Sequence, residues 1–147
     1  MKTMLSSVLF AVIAIIAAMF YSMGNSDIED LILCTSHNES HYIPRSQCKS
    51  YLYNYRGNKE DINYPESRLG ISFIFGLDDV KDIETHFDFL ISKNIDINKI
   101  SPADGFTPLH AAVLENKHLL VKKLLESDAD KTIFSSATNS TSLELAQ

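Results

Sequence analysis

Hydrophobic positions follow three different patterns along this chain. Residues 8–21 are apolar without interruption, and Lys2 is the only charged side chain before them. Residues 25–68 mix short apolar stretches with polar ones, and from about residue 70 apolar residues recur three and four positions apart. That last spacing places them on one face of a helix. The pattern therefore predicts an apolar N-terminal segment, a mixed middle region and a helical C-terminal half.

The N-terminal segment, residues 1–24, has the features of a targeting sequence. Its apolar core is shorter than the roughly 20 residues of a membrane span, which favours a signal peptide. Ser22 and Gly24 fit the small-residue positions before a cleavage site, and cleavage there would leave Asn25 as the new N-terminus. The alternative is an uncleaved signal anchor through residues 4–23, and the chain is expected to contact a membrane only in that case.

The charges that flank this segment predict its orientation. Lys2 precedes the apolar core, and Asp27, Glu29 and Asp30 follow it. Basic flanks stay on the cytoplasmic side of a membrane. We therefore expect the rest of the chain to be exported, to the periplasm or another extracytoplasmic compartment. If the segment is retained, the chain would be anchored in the inner membrane.

The middle region, residues 25–69, is predicted to form a small helical cap. Residues 27–33 fit a short helix that begins just after a capping residue. Residues 35–47 are polar and predict a loop. A second helix is predicted over residues 48–56, because its apolar residues fall on one face.

Two cysteines lie in this middle region, and both follow the targeting segment. In an exported protein the even pair Cys34 and Cys48 predicts a disulfide. Closing that loop would stabilise the fold by about 3 kcal/mol. The alternative is a zinc site, in which Cys34, His37, His41 and Cys48 supply two sulfur and two nitrogen ligands.

The most distinctive motif covers residues 104–112 and reads Asp-Gly-Phe-Thr-Pro-Leu-His-Ala-Ala. Parts of it recur along the chain. Residues 70–74 are a weaker copy 35 positions earlier, and Thr141 lies 34 positions after Thr107. A fixed period of this length predicts a repeat protein.

The motif resembles the ankyrin repeat, a unit of about 33 residues that carries Thr-Pro-Leu-His-x-Ala. The resemblance covers residues 70–147. It implies an all-α ankyrin-repeat solenoid of about two full units plus a partial third, with residues 25–69 as an N-terminal helical cap. The layout is similar to that of small exported, periplasmic-type bacterial ankyrin-repeat proteins. We expect that the last helix, near residues 143–147, is the C-terminal cap of the stack, or else that the chain is truncated.

The resemblance also assigns structural roles within the central unit. Thr107 should cap the first helix, Pro108 should take its first position and Leu109 should enter the core. In the ankyrin pattern His110 is structural, because it bonds to Thr107 and the neighbouring turn. Four residues of the second helix should bury one stripe, namely Leu120, Val121, Leu124 and Leu125.

Two further expectations concern single positions in the repeats. Asn94 and Asp128 stand where the family normally has glycine, at a site that usually needs a left-handed backbone. His86 and His118 lie on the predicted second helices, and we expect both at the surface.

Composition narrows the classes of function. The chain has 147 residues, is 45% hydrophobic and carries a formal net charge of −6. An acidic chain is a poor candidate for nucleic-acid binding, which needs clustered Lys and Arg, and it suits a basic partner. No nucleophile elbow, phosphate loop, dinucleotide fingerprint or metalloprotease motif occurs in the sequence. We therefore expect a protein-binding module that is not an enzyme and has no cofactor.

Partner contacts are expected at the turn tips and on the inner-helix face, where ankyrin stacks usually meet their partners. The exposed tips are expected to comprise Lys99, Ile100, Ser101, Ala103 and Asp104 between the first two units, and Thr132, Ile133, Phe134 and Ser135 at the next. Exposed apolar side chains are the best candidates for anchors there. The predicted contact residues are Ile100, Asp104, Glu115, Lys117, Ile133 and Phe134.

Three functions are compatible with these features. The family analogy favours an immunity protein, which binds and neutralises a toxic effector. A second hypothesis is a membrane-anchored scaffold or accessory partner of an envelope enzyme. A third is a zinc-binding protein built on residues 34–48.

Overall fold

The computed structural model describes residues 2–36 and 42–147. Within these residues the fold is helical, and extended backbone pairs only in an isolated bridge between Phe134 and Thr141. The all-α expectation is therefore confirmed. The helices are α1 (Lys2–Asn25), α2 (Ile28–Ser36), α3 (Arg45–Tyr55), α4 (Lys59–Glu66), the 3₁₀ helix η1 (Gly70–Gly76), α5 (Val80–Ser92), α6 (Pro108–Leu114), α7 (His118–Glu126) and α8 (Ser142–Leu145).

The chain divides into two compact units, the N-terminal unit up to Tyr55 and the repeat unit from Arg56 to Gln147. In the N-terminal unit α2 packs on α3. The core side chains of this unit are Met23, Ile28, Leu31, Ile32, Cys34, Cys48 and Leu52.

The predicted polar loop at residues 35–47 is shorter in the structure, because both flanking helices extend into it. The hydroxyls of Thr35 and Ser36 donate to the Ile32 carbonyl at 2.7 and 3.2 Å, and the backbone stays helical through Ser36. At the other end, α3 begins at Arg45, directly after a proline whose carbonyl accepts from the amides of the first turn.

The repeat unit begins with an ion pair that closes the turn before α4, in which Asp61 is buried and Arg56 is partly exposed. Arg56 Nε donates to Asp61 at 2.9 Å, and the amide of Gly57 donates to the same carboxylate at 2.7 Å. Burial alone would raise the pKa of Asp61, but the bonds from Arg56 and Gly57 outweigh it and hold that pKa below its ordinary value. Asn58 completes the turn as the cap of α4.

The first repeat has lost its regular inner helix. Residues 70–76 form the 3₁₀ helix η1, and the preceding residue, Leu69, offers no side-chain capping bond. The outer helix α5 is regular, since Asp79 caps it by accepting from the Lys81 amide at 2.7 Å. The weak match of residues 70–74 to the family motif therefore corresponds to a real change in local structure.

His86 was expected at the surface, and that prediction is wrong. It is 1% exposed, whereas His118 is exposed as predicted. His86 lies three positions after Ile83 and four before Leu90, so it falls on the buried stripe of α5.

The second repeat, α6 and α7, has regular helices. Four side chains of this repeat are buried in the core, those of Leu109, Ala112, Leu120 and Leu124. Leu125 was also expected in the buried stripe, but it is 45% exposed. Together with several residues around α6 and α8 it lines an open apolar groove, because α8 is a helix of only four residues.

The turns that follow the outer helices adopt the expected left-handed backbone. Asn94 has φ 62° and Asp128 has φ 64°. Both residue types tolerate this conformation better than other non-glycine residues do. The repeats can therefore close their turns without the glycine that the family normally uses.

Candidate protein-binding surface

Two turns of the repeat unit have the same internal hydrogen bonds, 34 positions apart. In the first tip, residues 97–106, the amide of Ser101 donates to the Phe106 carbonyl at 2.8 Å. In the second tip, residues 131–140, the amide of Ser135 donates to the Ser140 carbonyl at 2.9 Å. The repeat therefore reproduces a defined turn as well as a pair of helices.

Ser101 and Ser135 were expected among the exposed tip residues, and this prediction is wrong. They are 4% and 1% exposed. Each hydroxyl oxygen accepts a bond from the amide two positions later, at 3.2 Å from Ala103 and at 3.1 Å from Ala137. The serines therefore hold the tips from inside and leave neighbouring side chains exposed to solvent.

The two tips are joined through the carbonyl of Gly105. It accepts a bond of 2.9 Å from the Ser135 hydroxyl and one of 3.0 Å from the Ser136 amide. Gly105 has φ 77°, and a Cβ at this position would lie 2.6 Å from Ser136 Oγ. Only glycine therefore allows the tips to approach this closely. Sequence reasoning missed this joint, because Gly105 was recognised only as part of the motif.

A second connection between repeats lies beside the tips. The amide of Asp130 donates to the Asn98 side chain at 2.8 Å, and the amide of Asp96 donates to Glu66 at 2.9 Å. Asp130 also accepts from the hydroxyl and the amide of Thr132, and these bonds lower its pKa. The base of each tip is therefore tied to the preceding element.

His110 is fully engaged inside the stack. Its Nδ1 lies 2.6 Å from the Thr107 hydroxyl, and its Nε2 lies 3.1 Å from the Ser140 carbonyl. Because a carbonyl can only accept, Nε2 donates and Nδ1 accepts from Thr107. The side chain is completely buried, so neither ring nitrogen is available to a substrate. Thr107 in turn caps α6, with Pro108 at its first position.

The apolar side chains of the tips differ in exposure. Phe134 is 57% exposed and Ile100 is 38% exposed, whereas Ile133 is half-buried. Asp104 is exposed, and its carboxylate accepts from the Phe106 amide at 3.0 Å. We call these four residues, Ile100, Asp104, Ile133 and Phe134, the tip surface.

Glu115 and Lys117 lie at the other end of α6 from the tips. Since α6 is seven residues long, its ends are about 10 Å apart. Lys117 pairs with Glu115 at 3.2 Å and donates to the Phe75 carbonyl of the first repeat. Lys117 therefore helps to hold the stack together, and Glu115 is the more accessible of the two for a partner.

The two cysteines of the N-terminal unit lie together. Their sulfur atoms are at bonding distance and their Cα atoms are 6.0 Å apart. Both side chains are buried. His37 and His41, the other members of the possible zinc set, lie outside the described residues. Among the residues that are described, no group of three or more metal-ligating side chains comes together.

Comparison with known proteins agrees with the repeat geometry. The family model for the ankyrin repeat matches residues 104–135, which contain the end of the first tip, α6, α7 and the start of the second tip. No curated protein and no solved structure matches the chain. Ankyrin repeats serve as protein-interaction modules. Residues 104–135 therefore match an ankyrin repeat, and the unit that contains them is a helical module of the kind that binds other proteins.

Proposed function

We propose that this protein is exported and binds a protein partner through the tip surface. The observation that carries the proposal is the exposure of Phe134 and Ile100 on two turns that are hydrogen-bonded to each other through Gly105. Exposed apolar and aromatic side chains of this kind are common anchors of protein interfaces.

The joint between the tips favours binding for an entropic reason. A surface that is already ordered loses little conformational freedom when a partner docks. The bonds from Ser135 and Ser136 to the Gly105 carbonyl fix the two turns relative to each other before binding. The apolar contact that Phe134 and Ile100 make with a partner then contributes to the free energy of binding, and only a small loss of conformational entropy opposes it.

The charge of the chain points to the class of partner. A net charge of −6 favours approach of a basic protein. Asp104 adds an exposed carboxylate next to the apolar tip residues. We infer that the partner offers an apolar pocket with basic residues at its rim.

For the biological role we propose an immunity protein, which binds a toxic effector and blocks it. Export would place the tip surface in the compartment where such an effector acts. The accessory-partner hypothesis uses the same surface and differs in its partner, an envelope enzyme. Zinc binding is less well supported, because it needs both thiols free as ligands and the two sulfurs lie at bonding distance to each other.

Site-specific crosslinking in cells tests this proposal. A photo-crosslinking amino acid replaces Phe134 in one full-length variant and Leu125 in a matched control, since both side chains are about half exposed. We expect a defined crosslinked protein from position 134 and none from position 125. Equal crosslinking from both positions, or none from either, would overturn the assignment of the surface. If the crosslinked protein is an effector, its toxicity should be relieved by the wild-type chain and should persist with Ile100→Ala/Phe134→Ala.

A further inference from the structure

The helix α1 does not end at the expected cleavage site. It continues through Asn25, one residue beyond Gly24. The Asn25 side chain donates to the Tyr21 carbonyl at 2.9 Å, and the Ser26 hydroxyl donates to the Ser22 carbonyl at 2.9 Å. Residues on both sides of the site therefore belong to one hydrogen-bonded structure.

The last turns of α1 also form part of the N-terminal unit. Met23 is 2% exposed and lies in its core. It lines the same cavity as Leu31 and the two cysteines. Three positions earlier, the ring of Phe20 packs edge-on against Tyr51, with the ring centroids 5.8 Å apart. Loss of residues 1–24 would therefore remove a core side chain and expose the faces of α2 and α3.

Between Ser6 and Ala18, α1 is largely apolar and is exposed on every side. An 18-residue window within residues 6–25 has a mean hydropathy of 2.2. The exposed large side chains include Val8, Leu9, Phe10, Val12, Ile13, Ile15 and Ile16. Together with the exposed Ala11 and Ala14 they cover the whole circumference of the helix. A helix that packs on a protein core has one apolar stripe, whereas one that is apolar all round belongs in a membrane or a large core. Twenty residues of helix span about 30 Å, the thickness of the hydrocarbon layer.

Aromatic side chains surround the C-terminal end of this apolar stretch. Tyr21 and Tyr42 are exposed, and Tyr42 lies beside Ser22 at the rim of one cavity. Phe20 and Tyr51 are in ring contact at the same end of α1. Tyrosine is enriched where membranes meet water, because its ring is apolar and its hydroxyl is hydrated. This arrangement indicates where the bilayer surface would cross the protein.

We propose that α1 is a retained anchor whose exposed surface binds the hydrocarbon core of a lipid bilayer. Its last turn, at Met23, completes the core of the N-terminal unit. The aromatic side chains around the C-terminal end of the apolar stretch lie at the membrane surface. No flexible linker separates the span from the folded unit, because α2 begins three residues after α1 ends. This inference rests on the proposed export but is independent of partner binding by the tip surface.

The mass and the location of the full-length protein test the anchor. Cells express the chain with a C-terminal tag, and membranes are washed at alkaline pH before the protein is extracted in detergent. We expect the intact mass of residues 1–147 in the washed membrane pellet. A soluble extracytoplasmic form that begins near Asn25 would overturn the anchor. A full-length form that remains in the cytoplasm would instead contradict the export, so that the two failures can be told apart.

A pair of variants tests the contribution of Met23 to the folded unit. Met23→Ala removes a buried side chain, and Ile16→Ala removes an exposed one from the same helix. Hydrogen exchange is measured on the full-length chain in detergent. We expect amide protection in α2 and α3 to fall by about tenfold or more in Met23→Ala and to stay unchanged in Ile16→Ala. Unchanged protection in Met23→Ala would show that α1 is dispensable for the unit and would overturn the inference.

Discussion

The Ser135 hydroxyl donates a 2.9 Å hydrogen bond to the Gly105 carbonyl, and this contact joins the tips of two successive repeats. The same serine holds its own tip by accepting from the Ala137 amide. One buried side chain therefore sets the shape of a turn and its position on the neighbouring turn. The arrangement of the proposed binding surface depends on this double role.

The first prediction concerns Gly105. Gly105→Ala should destabilise the repeat unit by about 1 kcal/mol or more, because the backbone is left-handed and the new methyl group would meet Ser136. Gly76→Ala is a matched control, since a methyl group at Gly76 would meet no atom within 4 Å and its backbone is not left-handed. Urea unfolding of both variants measures the difference. Equal stability of the two variants would show that the tips are not held by this close approach.

The second prediction concerns the cap of α6. Thr107→Ala should destabilise the fold by about 1 kcal/mol, because the hydroxyl bonds both the first turn of α6 and His110. Thr107→Ser keeps the oxygen and should retain most of the stability. His110→Ala should also act through stability, since both ring nitrogens are bonded inside the stack. A His110→Ala protein that keeps its melting temperature but loses function would contradict the structural role.

The third prediction is a pH dependence at Asp61. Its folded pKa lies below the ordinary value of 3.8, so the charged carboxylate stabilises the fold above that value. This stabilisation should be lost as the pH falls from about 4 through the lowered pKa of the folded state. Asp61→Asn should remove that part of the acid dependence and lower stability at neutral pH. The stability of both proteins is compared by thermal unfolding between pH 2 and pH 7. If stability depended on pH in the same way in both proteins, the stabilising role of the ion pair between Arg56 and Asp61 would be contradicted.

The fourth prediction concerns Cys34 and Cys48. In the purified exported protein they should form a disulfide, visible as resistance to alkylation in denaturant before reduction. The double variant Cys34→Ser/Cys48→Ser should lose about 3 kcal/mol of stability in the N-terminal unit, because the chain-entropy model gives this value for a disulfide that closes a loop of this size. Two thiols that react freely, or one bound zinc per chain, would favour the alternative site.

The fifth prediction is topological. An alkaline phosphatase fused after Gln147 should be active, because we expect Lys2 and the acidic residues after α1 to orient the chain with its repeats outside the cytoplasm. Reversal of the charges, with Lys2→Glu and Asp27→Lys, should reduce that activity. An inactive phosphatase together with an active cytoplasmic reporter at the same position would contradict export.

Features set by local sequence were predictable. The helices of the second repeat follow from the Thr-Pro-Leu-His motif, since a capping hydroxyl and a first-position proline act within one turn. The left-handed turns at Asn94 and Asp128 followed from the tolerance of those residue types. The burial of His86 could also have been found, because its spacing from Ile83 and Leu90 places it on the apolar stripe.

Features that join distant parts of the chain were not predictable in the same way. The carbonyl of Gly105 acts on residues 30 and 31 positions later, and nothing in its own neighbourhood indicates this. Leu125 fits the helical stripe by spacing, but its exposure depends on how little of the next repeat packs on it. Met23 looks like the end of a targeting segment until its burial in the folded unit is seen.

The affinity for the crosslinked partner is the most direct test of the binding surface. The dissociation constants of the wild-type chain, of Ile100→Ala/Phe134→Ala and of the control Leu125→Ala are measured by calorimetry. We predict that the double variant weakens binding by 2 kcal/mol or more, roughly 30-fold, with an unchanged melting temperature, and that the control binds as the wild type does. Wild-type affinity in the folded double variant would contradict the tip surface as the site where this protein meets its partner.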